Sequence, residues 1–457
     1  MIRPLQAAMF AVSVVVLAPV CGFISPSSHG SVPPLIATAA PVYEPLAALR
    51  GGERFPKGAQ LLLVRDGRAT PLIEGFAATA DPSLSFDANT LLFAGKRDAG
   101  DHWSIWEFTF ADRSVRKVVG GDSDAIRPLY LPGDRLVYAR MTARGFQVDA
   151  AGLDGSNGLP LTYVAASAVP ETVLSDGRIL FQAGFPLGMS IEHGANPELF
   201  LVYSDGSGVE SYRCDHGAPR WGGTQLASGD VVFSQGTRMA RFTSPLATEV
   251  PVVAPKADYA GSIIETESHE WVVSARPKAG EHYALHFWKP GAASLEPLLT
   301  RTGEDVVEPV LLVPHDRPNR HPSALHKWDY ANLLALDARQ SRDGTIDGKP
   351  TSVRLEALDA DGSAVAMGTA PVESDGSFFV QVPGDKPIRF ALLDEKGSTI
   401  RAEQGWFWIR KGEQRYCVGC HAGPEHAPEN RVPQVLLRTT VPVDLTGSSN
   451  HLSRGGQ

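Results

Sequence analysis

Sulfur is scarce in this chain. Four Cys and six Met stand among 457 residues, against 45 Gly and 35 Pro. So few thiols exclude a scaffold built on disulfides. There is no run of Lys or Arg, and the formal net charge is -9, which argues against a nucleic-acid partner. No Met follows Met367 and no Tyr follows Tyr416. What is present is ordinary for a globular protein, with 43% hydrophobic and 20% charged residues, and the length allows two or three domains.

The first residues read as an export signal. Arg3 supplies a positive start and a largely apolar run extends from Leu5 to Val20. Ala37-Thr38-Ala39 has the small residues of a cleavage site but lies far from that run. Cys21 raises lipid attachment as an alternative, and an uncleaved anchor is a third. Residues 1–40 are therefore expected to be leader and linker, and every version puts the mature protein outside the cytoplasm, in the periplasm or beyond. Membrane contact is expected only through such an anchor or lipid.

A repeat follows. "LSFDANTLLFAG", "LYLPGDRLVYAR", "TVLSDGRILFQA", "QLASGDVVFSQ" and "IIETESHEWVVSA" each join two β-rich runs through a short polar turn. They close at Phe93, Tyr138, Phe181, Phe233 and Val273, so the spacings are 45, 43, 52 and 40 residues. That period, with several short strands in each, predicts a β-propeller over residues 41–318. With "AQLLLVRDGRATPLI" and "VVEPVLLVP" as two ends of one shared blade, six blades are expected. One loop, "SYRCDHGAPRW", places Cys214, Asp215 and His216 side by side. Thiolate, carboxylate and imidazole suit a second metal or a haem contact, while a buried Cys beside a capping Asp explains them equally.

The segment "RPNRHPSALHKWDYANLLALDARQSR" breaks the repeat and reads as a linker. From Thr351 on, "SVRLEALDADGSAVAM", "PVESDGSFFVQVPGD", "IRFALLDEKGSTIRAE" and a "GWFWIRKGEQR" strand alternate polar and apolar residues around DG and KG turns. A small antiparallel β-sandwich of seven or eight strands is expected within residues 319–457, making the whole all-β. Straight after it comes "EQRYCVGCHAG". Its Cys-x-x-Cys-His arises by chance in about one such chain in a thousand. A thioredoxin-type pair needs a helix after the first Cys, and the flanks here are β and Gly/Pro-rich. A structural zinc needs four ligands and there is no second CxxC, though Cys214 and His216 would supply two more. Covalent haem fits: Cys417 and Cys420 as thioether attachments, His421 as axial ligand. Only 36 residues follow His421 (457 minus 421), so the macrocycle must rest on the other domains. Trp406 and Trp408 are candidate walls, or plain core aromatics. Candidates for the second axial position are His426 and His451 in the tail, His315, His321 and His326 in the linker, and His216 in the propeller; the position also reads as open.

In their order, "PVESDGSFFVQVP", "IRFALLDEKG", "GWFWIRKGE" and "CVGCH" after a propeller resemble the hydrazine synthase alpha subunit family, most sharply over Pro371–His421. The resemblance implies a periplasmic protein, haem c in the middle domain and membership of a larger assembly. In that family a tyrosine just after the motif ligates the iron and the motif histidine turns to zinc. Here Glu425 stands four residues after His421 and no tyrosine follows, and a second haem domain is not expected in the remaining residues. The expectation is an exported haem c protein that transfers electrons to a redox partner. The alternatives are a haem enzyme with an open distal site acting on a small nitrogen or oxygen compound, and a haem- or zinc-binding module.

Overall fold

The computed structural model describes residues 33–65, 68–213, 218–245, 247–341, 344–346, 348–419 and 429–447. Residues 35–311 build six four-stranded antiparallel sheets, the blades of a propeller. Blades 2 to 6 are consecutive in the chain, within residues 78–119, 125–160, 168–211, 221–252 and 258–299. Phe93, Tyr138, Phe181, Phe233 and Val273 each fall on the second strand of their blade, so the period marked one repeated position. Blade 1 is composite, as expected. Its innermost strand, Asp305–Leu311, comes from the far end and pairs with Leu35–Ala40, followed outwards by Gln60–Arg65 and Arg68–Pro71.

One expectation moves. Leu35–Ala40 lies within the stretch read as leader and linker, yet all six residues are buried in blade 1. Without this strand, Asp305–Leu311 would have no neighbour to join it to the rest of the blade. Ala37-Thr38-Ala39 is accordingly core, and the Thr38 hydroxyl donates to Glu308 at 3.0 Å. Apolar residues from adjacent blades interdigitate all round the ring. Leu180, Leu199, Phe233 and Phe242 join blades 4 and 5, and Val272, Leu285, Val306 and Leu35 join blades 6 and 1.

A second body begins earlier than Thr351, because "YANLLA" within the linker string is the strand Tyr330–Ala335. Two four-stranded sheets face each other here. One runs in the order Gln414–Cys417, Tyr330–Ala335, Phe378–Pro383, Val443–Asp444, and the other Ala364–Pro371, Ser352–Leu358, Ile388–Leu393, Thr399–Ala402. Their inner faces share one core, including Leu333, Val353, Leu355, Val380 and Phe390. The sandwich is not wholly antiparallel. Both edge strands of the first sheet, Gln414–Cys417 and Val443–Asp444, pair in parallel.

The expected "WFWIR" strand does not form as such. Only Phe407 pairs, with Ile388, because the segment divides its partners between the two bodies. Phe407 and Ile409 turn into the sandwich core, while the Trp406 N–H donates to Leu187 O at 2.5 Å. Trp408 is fully buried in the propeller, its ring 6.4 Å from that of Phe181 and 6.5 Å from that of Tyr163. Arg410 adds a hydrogen bond to Asp205 O at 3.0 Å and one to the Tyr163 hydroxyl. Alternation every second residue, the rule of an extended chain, thus makes a two-faced joint. Removing the buried indole, Trp408→Ala, is expected to cost about 3–5 kcal/mol. Denaturant unfolding would check it, with a loss below about 1 kcal/mol meaning that the joint holds without the indole.

Candidate functional site

The strand Gln414–Cys417 lies at the edge of its sheet, in parallel register with Asn332–Ala335, so that Cys417 stands opposite Ala335. Alternation turns Tyr416 outward, where it is 68% exposed, and packs Cys417 against the sandwich core. The Leu336 N–H donates to Cys417 O at 2.8 Å, fixing the strand end. Burial pushes the thiol's pKa up, with Arg415 opposing it, so Cys417 is an apolar, protonated side chain and not a ready thiolate. It is a free cysteine in the structure. Two residues on, Gly419 slides against the segment after Ala335. A side chain there would meet Gln340 Cβ at 2.9 Å and Asp337 O at 3.0 Å.

Cys420 and His421 lie outside the described residues. The chain is described again from Glu429, where it is fastened firmly. Arg431 pairs with the Asp375 carboxylate and donates to Asp375 O at 3.1 Å. The Gln434 N–H donates to the same carboxylate at 2.8 Å, and the Val435 N–H to the Ser377 hydroxyl at 3.1 Å. Arg438 adds an ion pair to Glu373 at 2.9 Å. The receiving turn, Glu373–Ser377, is the DG turn of "ESDGS". It abuts the other anchor, since Ala338 N–H donates to Gly376 O at 2.8 Å and Arg339 to Ser374 O at 2.9 Å. Gly419 and the segment from Glu429 are therefore both held at one platform.

Sequence reading located this turn but not its use, because an ion pair 56 residues apart leaves no local pattern. Burial opposes ionisation of Asp375, but the Ser377 and Gln434 donors and Arg431 prevail and bring its pKa from 3.8 down to about 2. A carboxyl lowered on folding contributes stability above its unfolded value and loses it as pH falls through the folded one. The clamp should thus be complete above about pH 4 and gone near pH 2. Unfolding midpoints measured against pH should separate wild type from Asp375→Asn at neutral pH and converge as pH nears 2. Curves that stay parallel would show the clamp contributes nothing.

The remaining candidates scatter. Trp406 is partly buried, with Arg389 4.5 Å from its ring centre, and Trp408 is propeller core. His315 lies on the propeller beside Phe86, with ring centres 5.4 Å apart, and His321 stacks on Tyr203 at 4.1 Å. His326 is the linker histidine beside the motif strand, stacked on Trp328 at 4.2 Å and 3.3 Å from the Gln414 amide. Cys214, Asp215, His216, His426 and His451 lie outside the described residues. Their neighbourhood is partly visible, however. Arg415 donates to Val209 O, and Gly208 N–H to Glu413 at 3.2 Å, so the edge of blade 4 that leads to Cys214 adjoins the strand that leads to Cys417. Among the described residues no three His, Cys, Asp or Glu side chains are grouped to hold a metal ion.

Residues 339–422 match the family described as hydrazine synthase alpha subunit middle domain. The hydrazine synthase subunit alpha of Kuenenia stuttgartiensis is 37% identical over 57 residues, a stretch that is 12% of this chain and only 7% of that protein. The solved Kuenenia stuttgartiensis hydrazine synthase superposes with a TM-score of 0.74 at 14% identity, covering 90% of this chain and 72% of that one, which shows a shared fold. TolB from Acinetobacter baumannii gives a TM-score of 0.45 at 12% identity over 60% of this chain and 65% of its own. The segment that carries Cys417 and the rest of its motif thus belongs to the hydrazine synthase alpha subunit middle-domain family, set in a chain with the fold of the synthase.

Proposed function

We propose that this is an exported haem c protein of the hydrazine synthase alpha type, working in electron transfer, with haem bound to Cys417 and Cys420 and His421 as its axial ligand. The observation that carries this reading is the placement of a Cys-x-x-Cys-His at the end of the strand Gln414–Cys417, inside the family-matched segment. The described residues fit the group. Cys417 is a free, apolar-packed thiol, suited to a thioether, and Gly419 gives the backbone a side-chain-free approach to Asp337 and Gln340. A bound haem would supply a one-electron iron couple.

The chain's own contribution is to hold that group still. The first attachment point is fixed by pairing to a central strand, and the far end of the loop by Arg431 on Asp375. Arg339 and Arg431 are taken up by Asp337 and Asp375, so their role is to brace the platform. The Cys214–Asp215–His216 loop is proposed as a second metal or haem contact, zinc included. What supports it is the hydrogen bond from Arg415 to Val209, five residues before Cys214. A redox protein partner and a larger assembly complete the reading, the latter favoured by likeness to a hydrazine synthase. The same likeness supports the alternative of an open distal position acting on a small nitrogen or oxygen compound.

Expression with haem-maturation machinery, then the reduced spectrum with and without carbon monoxide, tests both. Electron transfer predicts a c-type spectrum that carbon monoxide leaves unmoved; a clear shift moves the enzyme reading ahead. Cys417→Ala and Cys420→Ala should each abolish normal two-thioether attachment. Covalent haem stain and spectrum unchanged in both would overturn the site, and a chain without haem would return the motif to zinc.

A further inference from the structure

The innermost strand of each blade carries a bulge at the same level of the propeller axis. The residues there are Asp81, Arg127, Glu171, Gly222, Gly261 and Glu308, so the ring divides into a charged arc and a glycine arc. Gly222 and Gly261 hold φ of +67° and +101° and approach each other so closely that a Cβ on Gly261 would lie 3.1 Å from Gly222 Cα. The charged arc surrounds Arg54, which descends from the loop 41–59. Arg54 pairs with Asp81 and Glu308, and Arg127 pairs with Glu308 at 3.2 Å and Glu171 at 2.7 Å.

Three carboxylates face two guanidinium groups, leaving one negative charge in excess. The vacancy can be located. Asp81 and Glu308 use both carboxylate oxygens, but among the described residues Glu171 accepts only at Oε2. Glu171 is 8% exposed and lines a cavity of about 400 Å³ on the axis. Burial raises the Glu171 pKa against the pull of Arg127 and Arg54, as it also raises that of Asp81. Thr224 and Ser262, on the cavity wall below the glycine arc, make no hydrogen bond through their hydroxyls among the described residues. Phe86, Tyr130 and His315 give the same cavity an aromatic side, with the Arg317 guanidinium 5.9 Å from the Phe86 ring centre and Asp316 next to it. Among the described residues, Tyr130 and His315 thus offer the ring faces that no cation already covers. The carboxylates do not group as metal ligands.

We propose that this axial cavity binds a small organic amine as its ammonium ion. The ammonium N–H groups donate to Glu171 Oε1 and to the Thr224 and Ser262 hydroxyls, and the carbon skeleton lies along the aromatic side, where a ring face attracts a cation. The site is independent of the haem motif and stands or falls without it.

Calorimetric titration of the full chain with ethylammonium, with ethanol as the uncharged match, tests the assignment. One saturable site for ethylammonium and none for ethanol is expected. Glu171→Gln, which keeps the Arg127 hydrogen bond, should weaken binding about tenfold or more. Should that variant fail to fold, Ser262→Val reads the same site by filling the cavity without touching the ion pairs, and is expected to weaken binding as well. Equal behaviour of ethanol and ethylammonium, or unchanged binding in the variant that folds, would overturn the proposal.

Discussion

The two bodies of this protein are joined by the extended segment Trp406–Arg410, with hydrogen bonds from Gly208 to Glu413 and from Arg415 to Val209 beside it. An extended chain presents alternate side chains to opposite sides, and here each side is a different hydrophobic core. Trp408 enters the propeller while Phe407 and Ile409 enter the sandwich, so the propeller core at blades 3 and 4 is completed by a residue of the second body. The indole N–H of Trp408 finds no hydrogen-bond partner among the described residues, which is a cost accepted for the fit of the ring. Seven residues after Arg410 the chain reaches Cys417. A short tether to that joint holds Cys417 close to blade 4, where Arg415 and Glu413 bond to Val209 and Gly208.

The propeller axis is built on the opposite logic. The joint rests mainly on the fit of apolar side chains, with Arg410 hydrogen-bonded at its end, whereas the axis is polar and held by charge. Buried ion pairs contribute little net stability, because desolvation offsets most of the attraction, but they punish the loss of one member severely. Arg54 therefore acts as a keystone: it belongs to no blade's innermost strand, yet it neutralises residues from two of them. Sixfold repetition made the ring, and departure from repetition at the bulge positions gave it chemical character.

Much of this was legible in the sequence, for identifiable reasons. Blade strands obey a two-residue period and end in turn residues, and repetition averages out local ambiguity, so Phe93 through Val273 marked the blades correctly. The composite blade was also readable, since an unpaired strand signal at each end of the repeat implied a shared sheet. Leu35–Ala40 was missed because "LIATAA" carries small residues that suit a leader as well as a buried strand. "WFWIR" misled because alternation reports burial on two sides and not hydrogen bonding to two neighbours. The Asp375–Arg431 clamp and the Arg54 network are sequence-distant pairings of common residues, which nothing local announces.

The register of the seam in blade 1 carries a mechanical corollary. Leu35 pairs with Leu311, so the outer ends of both strands meet at the same edge of the sheet. Tension drawn along the chain at these two points would peel the pairs apart one by one, the weakest way to load an antiparallel ladder. The downstream chain, however, is docked on blades 3 and 4 through Trp408 and Arg410. A pull from the Cys417 end is thus carried into blades 3 and 4, away from the strand pair that closes the ring, and the seam is spared.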